Sequence, residues 1–232
     1  LTVTYDAKGG TSVTSGSVNT GASISSAPTA PTRNGYTFSG WSATDGGTVI
    51  SFPYAHGQTA SFTLFAVWAA NALNVTYDSQ SGSVVSSGTV ATNATLTAPT
   101  PPTRAGYTFT GWSTTSTGSV VSFTGGYVHG QTTNFTLYAI WSGNTLTVSF
   151  DSQGGSVVSN GAVATDAKLT APTAPTRAGY TFGGWSATSS GSIVSFTGGY
   201  THGQTANFTL YAIWSANSCL LYTSPSPRDR TR

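Results

Sequence analysis

Glutamate and methionine are absent from all 232 residues, cysteine occurs once, and only 6% of the chain is charged. A single cysteine, Cys219, excludes an intrachain disulfide, so no small unit here can be stapled that way. The formal charge is +2, but Arg228, Arg230, Arg232 and Asp229 fall in the last fourteen residues, leaving five cations and five anions elsewhere. Such a neutral surface has no basic field to attract nucleic acid or anionic lipid, so neither is expected as a partner. No run approaches the roughly 18 apolar residues of a membrane span, and no charged-then-apolar leader is present. No membrane insertion is expected of this stretch. With no initiating Met and Leu1 already in a strand pattern, the chain reads as part of a longer product with neighbouring domains on either side.

What is present is repetition. Gly35-Tyr36-Thr37-Phe38-Ser39-Gly40-Trp41 returns at Gly106 to Trp112 and at Gly179 to Trp185, each time after Pro-Thr-Arg and a further residue. A second aromatic stretch ends at Trp68, Trp141 and Trp214, a period of 73. Self-similarity of this length marks tandem modules, expected at 1–68, 73–141 and 146–214, with a separate tail at 219–232. Units of about 70 residues lie near the lower limit for a self-sufficient core and need dense apolar packing. Aromatics supply it: nine per repeat in matched positions, Tyr5, Tyr36, Phe38, Trp41, Phe52, Tyr54, Phe62, Phe65 and Trp68 in the first. Buried rings bring large areas per residue, and this set is the predicted core.

Along each repeat the patterns are those of strands. Leu1, Val3 and Tyr5 alternate with Thr2 and Thr4, and Leu73-Val75-Tyr77 and Leu146-Val148-Phe150 follow suit. Asp6, Asp78 and Asp151 then open Gly-bearing turns, in which Asp accepts local N–H bonds and Gly takes positive φ. A calcium loop would need more than one carboxylate. A Ser/Thr/Val segment (83–97 in the second repeat) predicts a second strand and a short third. Prolines then impose an extended connection with at most one helical turn near Arg104. Tyr107 and Phe109 share a parity that Trp112 breaks, predicting a bulge or bend at Gly111. A strand over 120–123, a loop over 125–131 and a last strand over 135–141 complete the unit. That last strand is apolar on both faces and belongs inside a sheet. The fold class is mainly β: three tandem modules, joined by four residues each and therefore closely spaced.

Candidate chemistry is sparse. The second repeat has Asp78, Arg104 and His129 as its only groups of the catalytic kind, and general acid–base catalysis needs groups tuned by neighbours. No Gly-x-Ser-x-Gly elbow is suitably placed, so no catalysis and no cofactor are expected. His56, His129 and His202 stand one per repeat before Gly-Gln-Thr. A metal needs converging ligands, so these predict hydrogen bonds within a loop. The candidate ligand-binding residues are Trp41, Trp112 and Trp185, which could stack on sugars or pack in the core, and Arg33, Arg104 and Arg177, which could grip an acidic partner or lie over a ring.

Pro-Thr-Arg-x-Gly-Tyr-Thr-Phe-x-Gly-Trp followed by Phe-Thr-Leu-Tyr-Ala-Ile-Trp resembles the Listeria-Bacteroides repeat, or internalin-type B-repeat, three times over residues 1–218. The resemblance implies a compact β-grasp-like module of bacterial surface and secreted proteins, without catalytic residues. The near absence of Lys and the lack of Glu depart from the charged character usual in that family. The expectation is an extracellular spacer or adhesion region whose partner is a surface protein or glycan; a carbohydrate-binding module using exposed Trp and Tyr is the alternative. After Trp214 the repeat rule calls for Leu at position 219. Cys219 stands there instead, and 219–232 resembles a translated sequencing adapter, predicting a non-native, disordered tail.

Overall fold

The computed structural model describes residues 1–218; the tail expectation for 219–232 lies outside the described residues. All regular structure among them is β. The first repeat contains β1 (Thr2–Asp6), β2 (Gly16–Ser17), β3 (Ser23–Ile24), β4 (Tyr36–Ser42), β5 (Tyr54–Ala55) and β6 (Phe62–Ala70). The second has β7 (Ala72–Asp78), β8 (Gly88–Ala91), β9 (Thr95–Leu96), β10 (Tyr107–Ser113), β11 (Tyr127–Val128) and β12 (Phe135–Gly143). The third has β13 (Thr145–Asp151), β14 (Gly161–Ala164), β15 (Lys168–Leu169), β16 (Tyr180–Ser186), β17 (Tyr200–Thr201) and β18 (Phe208–Ala216).

Every repeat builds the same pair of sheets. Its four-stranded sheet runs β2-β1-β6-β4 in the first, β8-β7-β12-β10 in the second and β14-β13-β18-β16 in the third; the two remaining strands pair by themselves. First and last strands lie parallel at the centre, Val3 opposite Phe62 and Val148 opposite Phe208. The last strand is thereby interior, as its two apolar faces require.

Alternation places Leu73, Val75 and Tyr77 on the buried face of β7, as the pattern predicts. In the first repeat Val3, Trp41, Leu64 and Ala66 form the buried centre, with Tyr5, Phe38, Phe52, Phe62 and Trp68 packed around it. The third has its own centre about Leu146, Val148, Trp185 and Leu210. Rings meet edge to face: Phe38 lies 5.4 Å from both Trp41 and Trp68, and Phe182 repeats this with Trp185 and Trp214 at 5.4 and 5.5 Å. That geometry suits the ring quadrupoles.

The bulge is where parity places it. Register shifts between Phe38 and Gly40, and between Phe182 and Gly184. Gly111 has φ +152, and a Cβ there would collide with Val120. One expectation is corrected, the strand at 120–123, and the connection near Arg104 needs no helical turn. Arg104 starts a tight turn, not a helical one: the Tyr107 N–H donates to the Arg104 carbonyl at 3.1 Å. Residues 120–123 form no strand, because only the Val121 N–H reaches the neighbouring Trp112 carbonyl, at 2.7 Å.

The chain forms two compact units. One comprises Leu1–Pro102 and Phe109–Ile140; the other comprises Thr103–Thr108 and, among the described residues, 141–218. Thr103–Thr108 belongs to the second because the Gly106 carbonyl accepts from Asn144 N at 2.9 Å and from the Thr165 hydroxyl at 2.7 Å.

Candidate functional site

Trp41, Trp112 and Trp185 occupy the inner end of the bulged strands and are only 1%, 2% and 3% exposed. As stacking platforms for sugar they are corrected by this burial: the ring faces are spent on Tyr5, Tyr77 and Phe150, 4.9 to 5.0 Å away and tilted. The Gly at the bulge causes it, since the extra residue turns Trp onto the core face. All three indole N–H groups are buried without a hydrogen-bond partner among the described residues.

Arg33, Arg104 and Arg177 each lie flat on the Tyr three residues on, with the guanidinium carbon 3.9, 3.8 and 4.0 Å from the ring centroid of Tyr36, Tyr107 and Tyr180. The tight turn brings the two side chains together, and stacking on the π face is worth about 0.5–1 kcal/mol at such partly exposed sites. The cations are half-buried and already engaged with rings. In the third repeat a shallow cavity of about 550 Å³ is lined by Gln153, Arg177, Tyr180 and Trp214 among others.

The histidines hold loops, as predicted. The Nδ1 atoms of His56, His129 and His202 accept from the N–H of Gln58, Gln131 and Gln204 at 3.0 Å. Each Nε2 donates to the carbonyl of Asn19, Ala91 or Ala164 at 3.2 Å, which requires the neutral ring protonated on Nε2. Among the described residues no three His, Cys, Asp or Glu come together as a metal site, and no helix is long and apolar enough to cross a membrane.

A second constellation is not apparent from residue types alone: the joint after each last strand. One residue, Asn71, separates β6 from β7, and Asn144 does the same between β12 and β13. The Asn71 N–H donates to the Gly35 carbonyl at 2.9 Å, and its Oδ1 accepts from the Thr37 hydroxyl at 2.7 Å. Asn144 makes the same two bonds to Gly106 and Thr108. The backbone carbonyls of Asn71 and Asn144 accept from the N–H of Thr92 and Thr165 at 2.9 Å. Asn93 Nδ2 then donates to the Tyr36 hydroxyl at 2.8 Å, while the Tyr107 hydroxyl donates to the Asp166 carboxylate. Thr92 and Thr165 are buried in consequence, whereas the corresponding Thr20 is exposed. The recurring Asn between strands was the available signal, and its bonding could not be read without the fold.

The family model for the Listeria-Bacteroides repeat domain matches residues 2–67, 74–140 and 147–213. The chain is 31% identical over 221 residues to a putative membrane protein of Evansella cellulosilytica, covering 94% of this chain and 32% of that protein. It is 31% identical over 185 residues to a putative Gly-rich membrane protein of the same organism, covering 79% and 21%. With internalin H of Listeria monocytogenes it shares 36% identity over 145 residues, 62% of this chain and 24% of the relative. The chain thus spans less than a third of the length of each of these relatives. Three matched modules, each carrying the same sheets, ring cluster and Arg–Tyr pair, make this chain a member of the Listeria-Bacteroides repeat family.

Proposed function

We propose that this array is the non-catalytic repeat region of a bacterial cell-surface or secreted protein, where it spaces or presents neighbouring domains or takes part in adhesion. The names of the relatives, an internalin and two membrane proteins, support an extracellular, surface-associated setting. The observation that carries the spacer role is the joint with no slack: one Asn between strands, bonded to the repeat before it and the repeat after it. A linker that short has no freely flexing regime. Distance distributions between dyes at Ser12 and Ser86, both on the first compact unit, test it. A narrow distribution that broadens when four Gly/Ser residues are inserted after Asn71 is expected; an equally broad distribution in both chains refutes a stiff spacer.

Carbohydrate binding is the second reading, and it rests on the Arg177, Tyr180 and Trp214 cavity instead of the buried indoles. A glycan screen separates the two. Spacer function alone gives no saturable ligand, whereas a lectin-like role gives one that Arg177→Ala abolishes.

A further inference from the structure

One stretch recurs in every repeat and belongs to neither the sheets nor the joints. Pro28-Thr29-Ala30-Pro31, Pro99-Thr100-Pro101-Pro102 and Pro172-Thr173-Ala174-Pro175 share the pattern Pro-Thr-x-Pro. Proline fixes its own φ at about −65° and drives the residue before it into extended geometry, and none of the three stretches lies in a strand, helix or turn. Thr29, Thr100 and Thr173 are exposed, and among the described residues neither their hydroxyls nor their backbone groups make a hydrogen bond. The next threonines are tied down instead. The N–H groups of Thr32 and Thr176 donate to the Thr11 and Ser156 hydroxyls at 2.9 Å, and their carbonyls accept from the Thr11 and Ser156 N–H at 2.9 and 2.8 Å. Past that tie the two segments line a groove, of about 340 Å³ between 83–86 and 99–102 in the second repeat and about 280 Å³ at the matching place in the first and third. Its lining is hydroxyls, prolines, valines and alanines, with no charged side chain. Val84 and Val157, in its wall, are 95% exposed.

We propose that Thr29, Thr100 and Thr173 are O-glycosylation sites, each carrying a neutral sugar that lies in the groove its own threonine lines. Ser/Thr-rich sequence punctuated by Pro is the composition of O-glycosylated stalks, and the structure singles out which hydroxyls qualify. A glycosyltransferase has to lay its acceptor segment along a cleft, and an extended segment with free backbone groups can enter one without unfolding. Thr37, although exposed, has its hydroxyl committed to Asn71 at 2.7 Å. In the transfer, Thr Oγ1 attacks the anomeric carbon of a nucleotide- or lipid-activated sugar. The bond from that carbon to the phosphate oxygen breaks, the phosphate leaves with the electron pair, the hydroxyl proton passes to a base of the transferase, and nothing is oxidised or reduced. The attached sugar suits the groove: its C–H face meets Val and Pro, its hydroxyls meet Ser and Thr, and no charge is left to pair. The volume is at the low end of small-molecule clefts, about 300–1,000 Å³, which is room for a single sugar. The proposal goes beyond the spacer or adhesion reading and is the same under either.

The test incubates the full folded chain with UDP-N-acetylgalactosamine and a polypeptide N-acetylgalactosaminyltransferase and maps the modified residues by electron-transfer dissociation mass spectrometry. Transfer confined to Thr29, Thr100 and Thr173 is expected. Thr29→Ala/Thr100→Ala/Thr173→Ala removes hydroxyls that bond to nothing, so it should keep the parent's thermal midpoint and accept no sugar. In the modified chain, nuclear Overhauser effects should join the sugar protons to the Val84 and Val157 methyls. Absence of transfer, or transfer spread over other exposed Ser and Thr, overturns the proposal. So does a transferred sugar that makes no contact with the two valines.

Discussion

At the scale of single residues, three identical sequence roles are met by different side chains, and the differences have measurable consequences. The turn after the first strand bonds as an Asx turn in every repeat: the N–H of Lys8, Gln80 and Gln153 donates to the preceding Asp at 2.8 to 2.9 Å. Its next position has φ +86 at Gly9 and +85 at Gly154, but in the second repeat Ser81 adopts +70. An L-residue there costs roughly 1–2 kcal/mol, so Ser81→Gly is expected to stabilise by about 1 kcal/mol, seen as a raised denaturation midpoint. Across the core, burial pushes the Tyr5 and Tyr77 phenols above their ordinary value of 10.0, while the third repeat has Phe150 in that place. A raised native pKa means the folded state holds its proton more tightly than the unfolded chain. The stability this confers is complete below about pH 10 and is lost as pH rises through the native pKa. Urea midpoints at about pH 9 and about pH 11 should therefore fall less in Tyr5→Phe/Tyr77→Phe than in the parent chain. The buried indole of Trp112 belongs to the same core, and Trp112→Ala is expected to cost about 3–5 kcal/mol.

Elements show why one glycine and one histidine per repeat matter more than their neighbours. The bulged strand needs an extra residue to turn Trp inward, and Gly40, Gly111 and Gly184 supply it at φ +144 to +152. Alanine at 111 meets both an unfavourable backbone region and the Val120 side chain. A loss of about 2–3 kcal/mol is expected, with near-ultraviolet circular dichroism of the Trp reporting the disturbed packing. Parity revealed this element because a sheet has period 2 and one misfit residue is conspicuous. Val/Phe composition predicts a strand over 120–123, yet the segment makes one backbone bond to Trp112 and then leaves the sheet. Propensity reports what fits a pleated surface, not whether a partner edge is available. The His129 loop was legible in kind but not in detail. Its ring accepts one N–H, donates to one carbonyl and stacks 4.9 Å from Phe135. His129→Ala should leave those backbone groups unpaired at a cost of about 1–3 kcal/mol, read as faster amide exchange at Gln131.

At the scale of the whole molecule the informative contacts lie between modules. The Tyr36 hydroxyl and the Asn93 amide belong to different repeats, so a double-mutant cycle of Tyr36→Phe and Asn93→Ala measures the joint itself. A coupling of about 0.5–1.5 kcal/mol is expected from chemical denaturation; additivity would show that the joint contributes nothing beyond its backbone bonds. Because module stability and nearest-neighbour coupling together set the behaviour of repeat arrays, that value also measures how cooperatively the first two repeats unfold.

Periodicity and ring content were enough to specify three β modules without disulfides, each closed by its own aromatic core, because a 73-residue spacing and strand alternation are written in the order of residues alone. Residue order alone leaves Trp41, Trp112 and Trp185 open between core and ligand platform and predicts Tyr36 among the buried rings. Tertiary structure decided both, since whether a ring meets solvent depends on what the strand bulge and the following repeat bring against it. The joint was decided there too: hydrogen bonds between Asn71 and Gly35, Thr92 and Asn71, and Asn93 and Tyr36 link residues far apart in the chain, and only the fold sets their distances.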